Sequence, residues 1–373
     1  SNNYNYREFD SFGQRYAEWK RNARVTGAYE YTFSYDSGRD RCDIYRRQFK
    51  YTYEETWRQR LIPGPTRTVL SYWSYKPVTF DISDFKTMSG TTETYASFIE
   101  LPLGNGGGLT KIYWDGCIEE RQTVRDTDGD VWNNWSPIPA AAFDMDLDRL
   151  PDPSDPNTQW GPALPDAVWG RYDSGGFTTS TVNSSAELRR NFSEACPVEA
   201  KKLQKWTTAN FQSYVDSLTG KGSTFHDIGL TWGGRLASPT GMFAAENAKT
   251  PSGGSIERHM IFMTDGDAQS FTTTYSAHGI GWWDRRQTSY QPTDAILTDM
   301  INARTVALCQ AVKNKGITLW VVSYGGNVNT DTENRLKACA SDASKYKQAT
   351  SAAELTTEFK KIAESISALR LTN

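Results

Sequence analysis

Two short stretches of the sequence carry oxygen ligands suited to a metal ion. Gly222-Ser-Thr-Phe-His-Asp-Ile-Gly-Leu230 reads as a loop opening a helix, and Met263-Thr-Asp-Gly-Asp267 reads as the end of a strand. The Thr224 hydroxyl and the Asp265 carboxylate are hard oxygens of the kind that hold Mg²⁺ or Ca²⁺, often through water, with Ser223 and Asp267 as further candidates. Each has an ordinary structural alternative, because Ser or Thr before a helix caps it and Asp before Gly closes a turn. Asp126-Thr-Asp-Gly-Asp130 has its Gly too early for a calcium loop and no Glu at the twelfth position, so it reads as a polar turn. His226, His259 and His278 lack metal-ligand spacing and read as structural. Glu119-Glu120 beside Arg121 offers either a carboxylate pair for glycoside cleavage or, more cheaply, a charged strand edge. No Gly-x-Ser-x-Gly, His-Glu-x-x-His or phosphate-loop motif occurs, so the sequence displays no enzyme's nucleophile and base.

The elements that must position these residues lie after Cys196. A helix over 199–218 carries Leu203, Trp206, Phe211, Val215 and Leu218 on one face, and a short helix over 227–236 follows. The apolar run His259–Thr264 predicts a strand buried on both faces of a sheet. A helix over 293–314, closed by Gly316, a second buried strand over 317–324 and a last helix over 352–369 complete the alternation. That alternation predicts an open α/β fold, a parallel sheet covered by helices. Ligands of such sheets sit at the carboxyl ends of strands, which here means Asp265 and the stretch Ser323 to Asn327. Residues 1–195 have weak periodicity and many turn formers. They read as an irregular, aromatic-rich, β-containing region with strands at Tyr29–Tyr35, Tyr45–Trp57 and Thr66–Tyr75 and one helix over 6–22.

The chain has 373 residues, enough for about two and a half domains of typical size. Its 41 basic and 44 acidic side chains leave a net charge of -3, which argues against nucleic acid as a partner. No apolar run reaches the roughly 18 residues a membrane span needs, and Ser1–Tyr6 is polar. A chain starting at Ser1 reads as a processed product or fragment whose anchor lies upstream. The 13 Trp and 19 Tyr are common where surfaces bind other surfaces or sugars. The five Cys show no CxxC spacing, so disulfides are the better use than zinc.

The Thr loop, the Asp after the next strand, and the helix, strand and helix that follow resemble a von Willebrand factor A domain. Longer strings sharpen the likeness: Gly116-Cys-Ile-Glu-Glu-Arg121, His226-Asp-Ile-Gly-Leu230 with Trp232-Gly233, Glu257 to Asp267, Trp283-Asp-Arg-Arg-Gln-Thr288 and Asn314-Lys-Gly-Ile-Thr-Leu-Trp320. These look like the A-type domains of TadG-like proteins of bacterial tight-adherence (Flp-type) pilus assembly, over most of 117–373 and more loosely over 1–113. The resemblance implies a bacterial envelope protein, periplasmic or at the cell surface and not an enzyme. It would bind a protein partner of the envelope or pilus through a metal-ion-dependent adhesion site. The Asp-x-Ser-x-Ser motif of that site's first strand is missing, the nearest string being Asp81-Ile-Ser-Asp-Phe85. The expected cofactor is therefore Mg²⁺ or Ca²⁺ held weakly or not at all, with 1–195 as an insertion and 196–373 as the rest of the A-type domain.

An oxidising envelope favours a disulfide between Cys309 and Cys339, which flank the strand 317–324 near two helix ends. Cys117 with Cys196 is a second candidate pair, leaving Cys42 over. The segment 269–292 follows the strand that ends in Asp265 and carries Tyr275, Trp282, Trp283, Arg285 and Arg286, residue types of binding hot spots, so a recognition surface is expected there. The alternative is that the Trp pair only buries this loop. The exposed-looking Trp and Tyr also leave open an extracellular carbohydrate-binding or carbohydrate-active protein.

Overall fold

The computed structural model describes residues 2–9, 23–51, 67–75, 81–85, 87–89, 92–94, 98–101, 109–167, 169–173, 176–177, 186–190, 196–247, 249–250, 252–326 and 328–369. The chain forms two compact units, Ser1–Cys117 with Pro162–Ser193, and Ile118–Gly161 with Glu194–Asn373. A division near Cys196 is thereby corrected. Residues 118–161 belong with the C-terminal half, because their charged side chains are built into its interior.

The first unit is antiparallel. Its strands include β1 (Asn2–Phe9), β2 (Ala23–Asp36), β3 (Arg41–Tyr51), β4 (Arg67–Tyr75), β5 (Phe98–Leu101), β6 (Thr110–Tyr113), β7 (Trp169–Asp173), β8 (Gly176–Phe177) and β9 (Ala186–Arg190), besides a short pair, Thr87–Ser89 with Thr92–Thr94. Five of them form a sheet in the order β8-β7-β9-β3-β2, while β1 pairs with β4 and β5 with β6. Of the Tyr-rich stretches, residues 29–35, 45–51 and 67–75 are thus strands, while 52–57 and 66 lie outside the described residues. The helix read over 6–22 is corrected over residues 6–9, which run in β1 in register with β4; residues 10–22 lie outside the described residues. Pairing partners decide strand formation more than local preference does. Phe85, Ile99, Leu101, Ile112, Leu164 and Ala167 form a small core.

The second unit is a mixed α/β arrangement. Its elements are α1 (Thr208–Ser217), α2 (His226–Ala237), β10 (Arg258–Thr264), α3 (Asp294–Asn314), β11 (Ile317–Tyr324), α4 (Thr330–Cys339), β12 (Tyr346–Ala349) and α5 (Ala352–Leu369). The three strands form a parallel sheet in the order β10-β11-β12, flanked by helices. Side chains alternate across this sheet, as strand geometry requires. Ile317, Leu319 and Val321 face the main core with Leu230, Met300, Leu308 and Val312, joined by Val131, Trp135, Met145 and Leu147 from the 118–161 segment. Trp320 and Val322 face the other way and pack under Ile362 of α5.

The caps are local and legible. The Thr293 side chain accepts from the Ile296 amide to start α3, and Asn329 does the same for α4 from Thr332. Gly316, at φ 69°, turns the chain from α3 into β11. Among the described residues no helix is long and apolar enough to cross a membrane.

Two expectations change. β10 is not buried on both faces: Ile261 and Met263 are exposed, because β11 alone pairs with it among the described residues and α5 lies over β11. The helix read over 199–218 shortens to α1 and buries none of its residues.

Candidate functional site

The Thr224 loop and the loop after β10 are joined directly. Thr224 and Gln269 exchange backbone hydrogen bonds, amide to carbonyl at 2.9 Å and 3.1 Å in the two directions, as an isolated antiparallel bridge. Gly222, at φ 72°, lets the chain reverse between α1 and this bridge. The bridge joins the Ser223–Thr224 loop to the segment that follows Asp265 and Asp267 after β10.

Beneath the turn lies His226, the first residue of α2. Its Nε2 sits 2.9 Å from the Thr264 hydroxyl, which donates onward to the Gly266 carbonyl at 3.0 Å and therefore accepts from the imidazole. Burial pushes the His226 pKa below its ordinary value. Asp227, Asp267 and Asp265 pull the other way, and Arg335 adds to the lowering. The ring is a structural neighbour of the turn.

The donor set is uneven. Asp265 is exposed and makes no hydrogen bond or ion pair among the described residues, and the Ser223 and Thr224 hydroxyls are equally uncommitted. Asp267 is not: its two carboxylate oxygens accept from the backbone amide of Asn329 at 3.1 Å and its Nδ2 at 2.8 Å, which fixes the start of α4. One carboxylate and two hydroxyls fit a hard cation such as Mg²⁺ or Ca²⁺, but with little direct negative charge. Asn327 lies outside the described residues.

The 269–292 segment folds as a small hairpin, Tyr275–Ser276 against Gly279–Ile280, followed by a single turn over Gly281–Asp284. Trp282 and Trp283 stack on each other, 5.4 Å between ring centroids and 25° between planes, and both are half-buried. Arg285 adopts φ 47° and makes only long bonds, to the Trp282 carbonyl and the Gln291 side chain. Two expected members of the recognition surface are corrected. Tyr275 is 3% exposed, and its hydroxyl donates to Glu119. Arg286 is held by Glu119 at 2.9 Å and by the carbonyls of Glu120 and Arg121. Both fasten the segment rather than face a partner.

Sequence reasoning missed the main electrostatic feature of this unit. Glu120, 3% exposed, receives two bonds from Arg235 at 2.7 Å and 3.0 Å, and one each from the indoles of Trp232 at 2.7 Å and Trp160 at 3.2 Å. Asp144, fully buried, takes Arg304 at 2.6 Å and His278 at 2.9 Å, while Arg304 also reaches Asp227 at 2.8 Å. Burial alone raises a carboxyl's pKa, yet Arg235 beside Glu120 and Arg304 beside Asp144 outweigh it and hold both groups below the usual range. For Glu120 the charged strand edge is corrected, since it is an ion-paired interior group with both oxygens used; Glu119 lies in the short strand Ile118–Glu119 and is bound by Tyr275 and Arg286. Arg235 and Arg304 within otherwise apolar helix faces were the signal available in the sequence.

Cys309 and Cys339 form a disulfide across α3 and α4, with Cα atoms 5.1 Å apart, inside the main core. Cys117 and Cys196 are each disulfide-bonded as well, and Cys42 is free.

No protein-family model matches the chain, and no curated protein matches it. Two crystal structures of the pilus adhesin SpaC from Lactobacillus rhamnosus GG, one in an open conformation, align with 43% of this chain and 21% of theirs. Identity is 15% and 13%, with TM-scores of 0.28 and 0.27, and this chain spans about a fifth of the length of those chains. A likeness of that size assigns no fold. The structure itself defines two units, a mixed α/β one built on a helix-flanked, three-stranded parallel sheet and an antiparallel β one.

Proposed function

We propose that this chain is a non-enzymatic protein of the bacterial cell envelope that serves adhesion or pilus assembly. In this reading the second unit is the partial von Willebrand A-type domain of a TadG-like protein, and a divalent cation at Thr224, Ser223 and Asp265 contributes to binding a protein partner. The observation that supports it is the backbone bridge between Thr224 and Gln269, which joins the Thr224 loop to the segment that follows Asp265 after a parallel strand. A bound Mg²⁺ or Ca²⁺ would offer a coordination position to an oxygen of the partner. Asp265 would supply its charge, and the Thr224 and Ser223 hydroxyls would orient it, directly or through water. Asp267 anchors α4 and leaves the site weak. Disulfides fit an oxidising location such as the envelope.

Calorimetry with Mn²⁺ and Mg²⁺ on the full chain tests the site. Weak binding that disappears in Asp265→Ala and falls in Thr224→Val supports it; binding unchanged in Asp265→Ala removes this turn as the site.

A further inference from the structure

A small recess lies in the second unit, walled largely by the 269–292 segment. Its walls include Ser270, Thr274, His278, Arg285, Arg286 and Gln287, with apolar surface from Leu297 of α3, and it has room for about one water-sized group. No carboxylate lines it among the described residues, although the chain carries 44 acidic side chains against 41 basic ones. The positive wall is therefore a local feature and not an average property of the chain.

The polar groups of these walls are unevenly used. Ser270 is 5% exposed; its amide donates to the Thr298 hydroxyl at 3.4 Å, while its own hydroxyl has no partner among the described residues. The Thr274 hydroxyl and the Gln287 side chain are uncommitted in the same way. Buried polar atoms ordinarily find partners, so a hydroxyl left over beside a recess points to something bound there. Two of the three basic groups are already balanced. Arg286 meets Glu119 at 2.9 Å, and His278 Nε2 lies 2.9 Å from the Asp144 carboxylate. Arg285 has no carboxylate partner among the described residues, and its bonds to the Trp282 carbonyl and the Gln291 side chain are 3.3 Å and 3.5 Å long. Its φ of 47° lies in the left-handed region, which a residue with a Cβ adopts at a cost and keeps only where its surroundings hold it.

We propose that this recess binds a small inorganic anion of the size of chloride. A water in the same place would leave Arg285 without a counter-charge. An anion accepts from the guanidinium, the two hydroxyls and the Gln287 amide together and supplies that charge. Size selects the ion, because a single atom fits the space whereas sulfate, phosphate or a carboxylate group needs more room. Bound there, one ion joins Ser270 at the start of the segment, Thr274 before its hairpin and Arg285 after its turn. It thus adds to the hold that Glu119 has on Tyr275 and Arg286.

Chloride-35 NMR on the full chain tests this, reading bound chloride as line width in excess of buffer. Saturable broadening is expected, displaced by bromide but not by sulfate at equal ionic strength. Arg285→Gln and Ser270→Ala should each weaken chloride binding at least threefold. The comparison of bromide with sulfate uses the parent chain alone, so it decides the matter even if a variant misfolds. Absence of saturable broadening would overturn the proposal by leaving only water in the recess. Displacement by sulfate as readily as by bromide, or binding unchanged in a folded Arg285→Gln chain, would overturn it by moving the chloride to exposed basic side chains.

Discussion

Replacing Glu120 by Gln removes one negative charge from a site where every oxygen is already used. Arg235, 1% exposed, then remains in the interior without a counter-charge, while its Nη1 and Nη2 keep their geometry toward a neutral amide. Breaking a buried ion pair from one side costs about 3–5 kcal/mol, because the surviving charge cannot recover its hydration. The Trp160 and Trp232 indoles, which donate to the same carboxylate, lose charge-assisted bonds as well. For a domain of roughly 150–250 residues each kcal/mol moves the melting temperature by roughly 2–4 °C, so the transition of the second unit should fall by about 6–20 °C. The double variant Glu120→Met with Arg235→Met removes both charges together and should regain much of that loss. Differential scanning calorimetry on all four combinations reads the coupling. A Glu120→Gln transition within about 1 kcal/mol of the parent would refute the interior clamp and the assignment of residues 118–161 to the second unit.

Three further outcomes are expected. Cys309→Ser with Cys339→Ser opens a loop of 30 residues and should cost roughly 3.6 kcal/mol by chain entropy, read as a lower denaturant midpoint. His226 has a folded pKa below its ordinary 6.5, so the unfolded chain binds the proton more tightly; its contribution is complete above 6.5 and is lost as the pH falls from there toward the folded value. Melting curves between pH 7.5 and 5 should therefore decline more in the parent than in His226→Asn. Trp282→Ala with Trp283→Ala removes a stack worth roughly 0.5–1.5 kcal/mol beyond its area, and only a few degrees of melting temperature should go with it. Loss of the folded baseline would show that the rings bury the segment.

The second unit's elements were legible wherever periodicity was strong. Ile317–Tyr324 and Ala352–Leu369 coincide with β11 and α5, and α2 and α3 differ by a residue at their ends. β12 gave no signal, since Tyr-Lys-Gln-Ala is short and polar and only its pairing with β11 makes it a strand. The Thr224 and Asp265 loops could be placed at one sheet edge from topology, but the commitment of Asp267 to Asn329 could not, because it joins residues 62 apart in sequence. Residues 118–161 have almost no periodicity, so nothing local assigned them to a core. Their attachment is long-range, through the ion pairs of Glu120 and Asp144 and through Val131, Trp135, Met145 and Leu147 in the main core.

That attachment sets a timetable for synthesis. Glu120 meets Arg235 across 115 residues and Asp144 meets Arg304 across 160, with residues 162–193 of the other unit translated in between. At roughly 5–20 residues per second, Glu120 waits roughly 6–23 s for its partner to be made, and Asp144 roughly 8–32 s. Through that interval the two carboxylates stay hydrated and the 118–161 segment has no core to join. A chain truncated before Arg304 leaves the ribosome with Asp144 lacking its guanidinium, so the second unit closes late and as a whole.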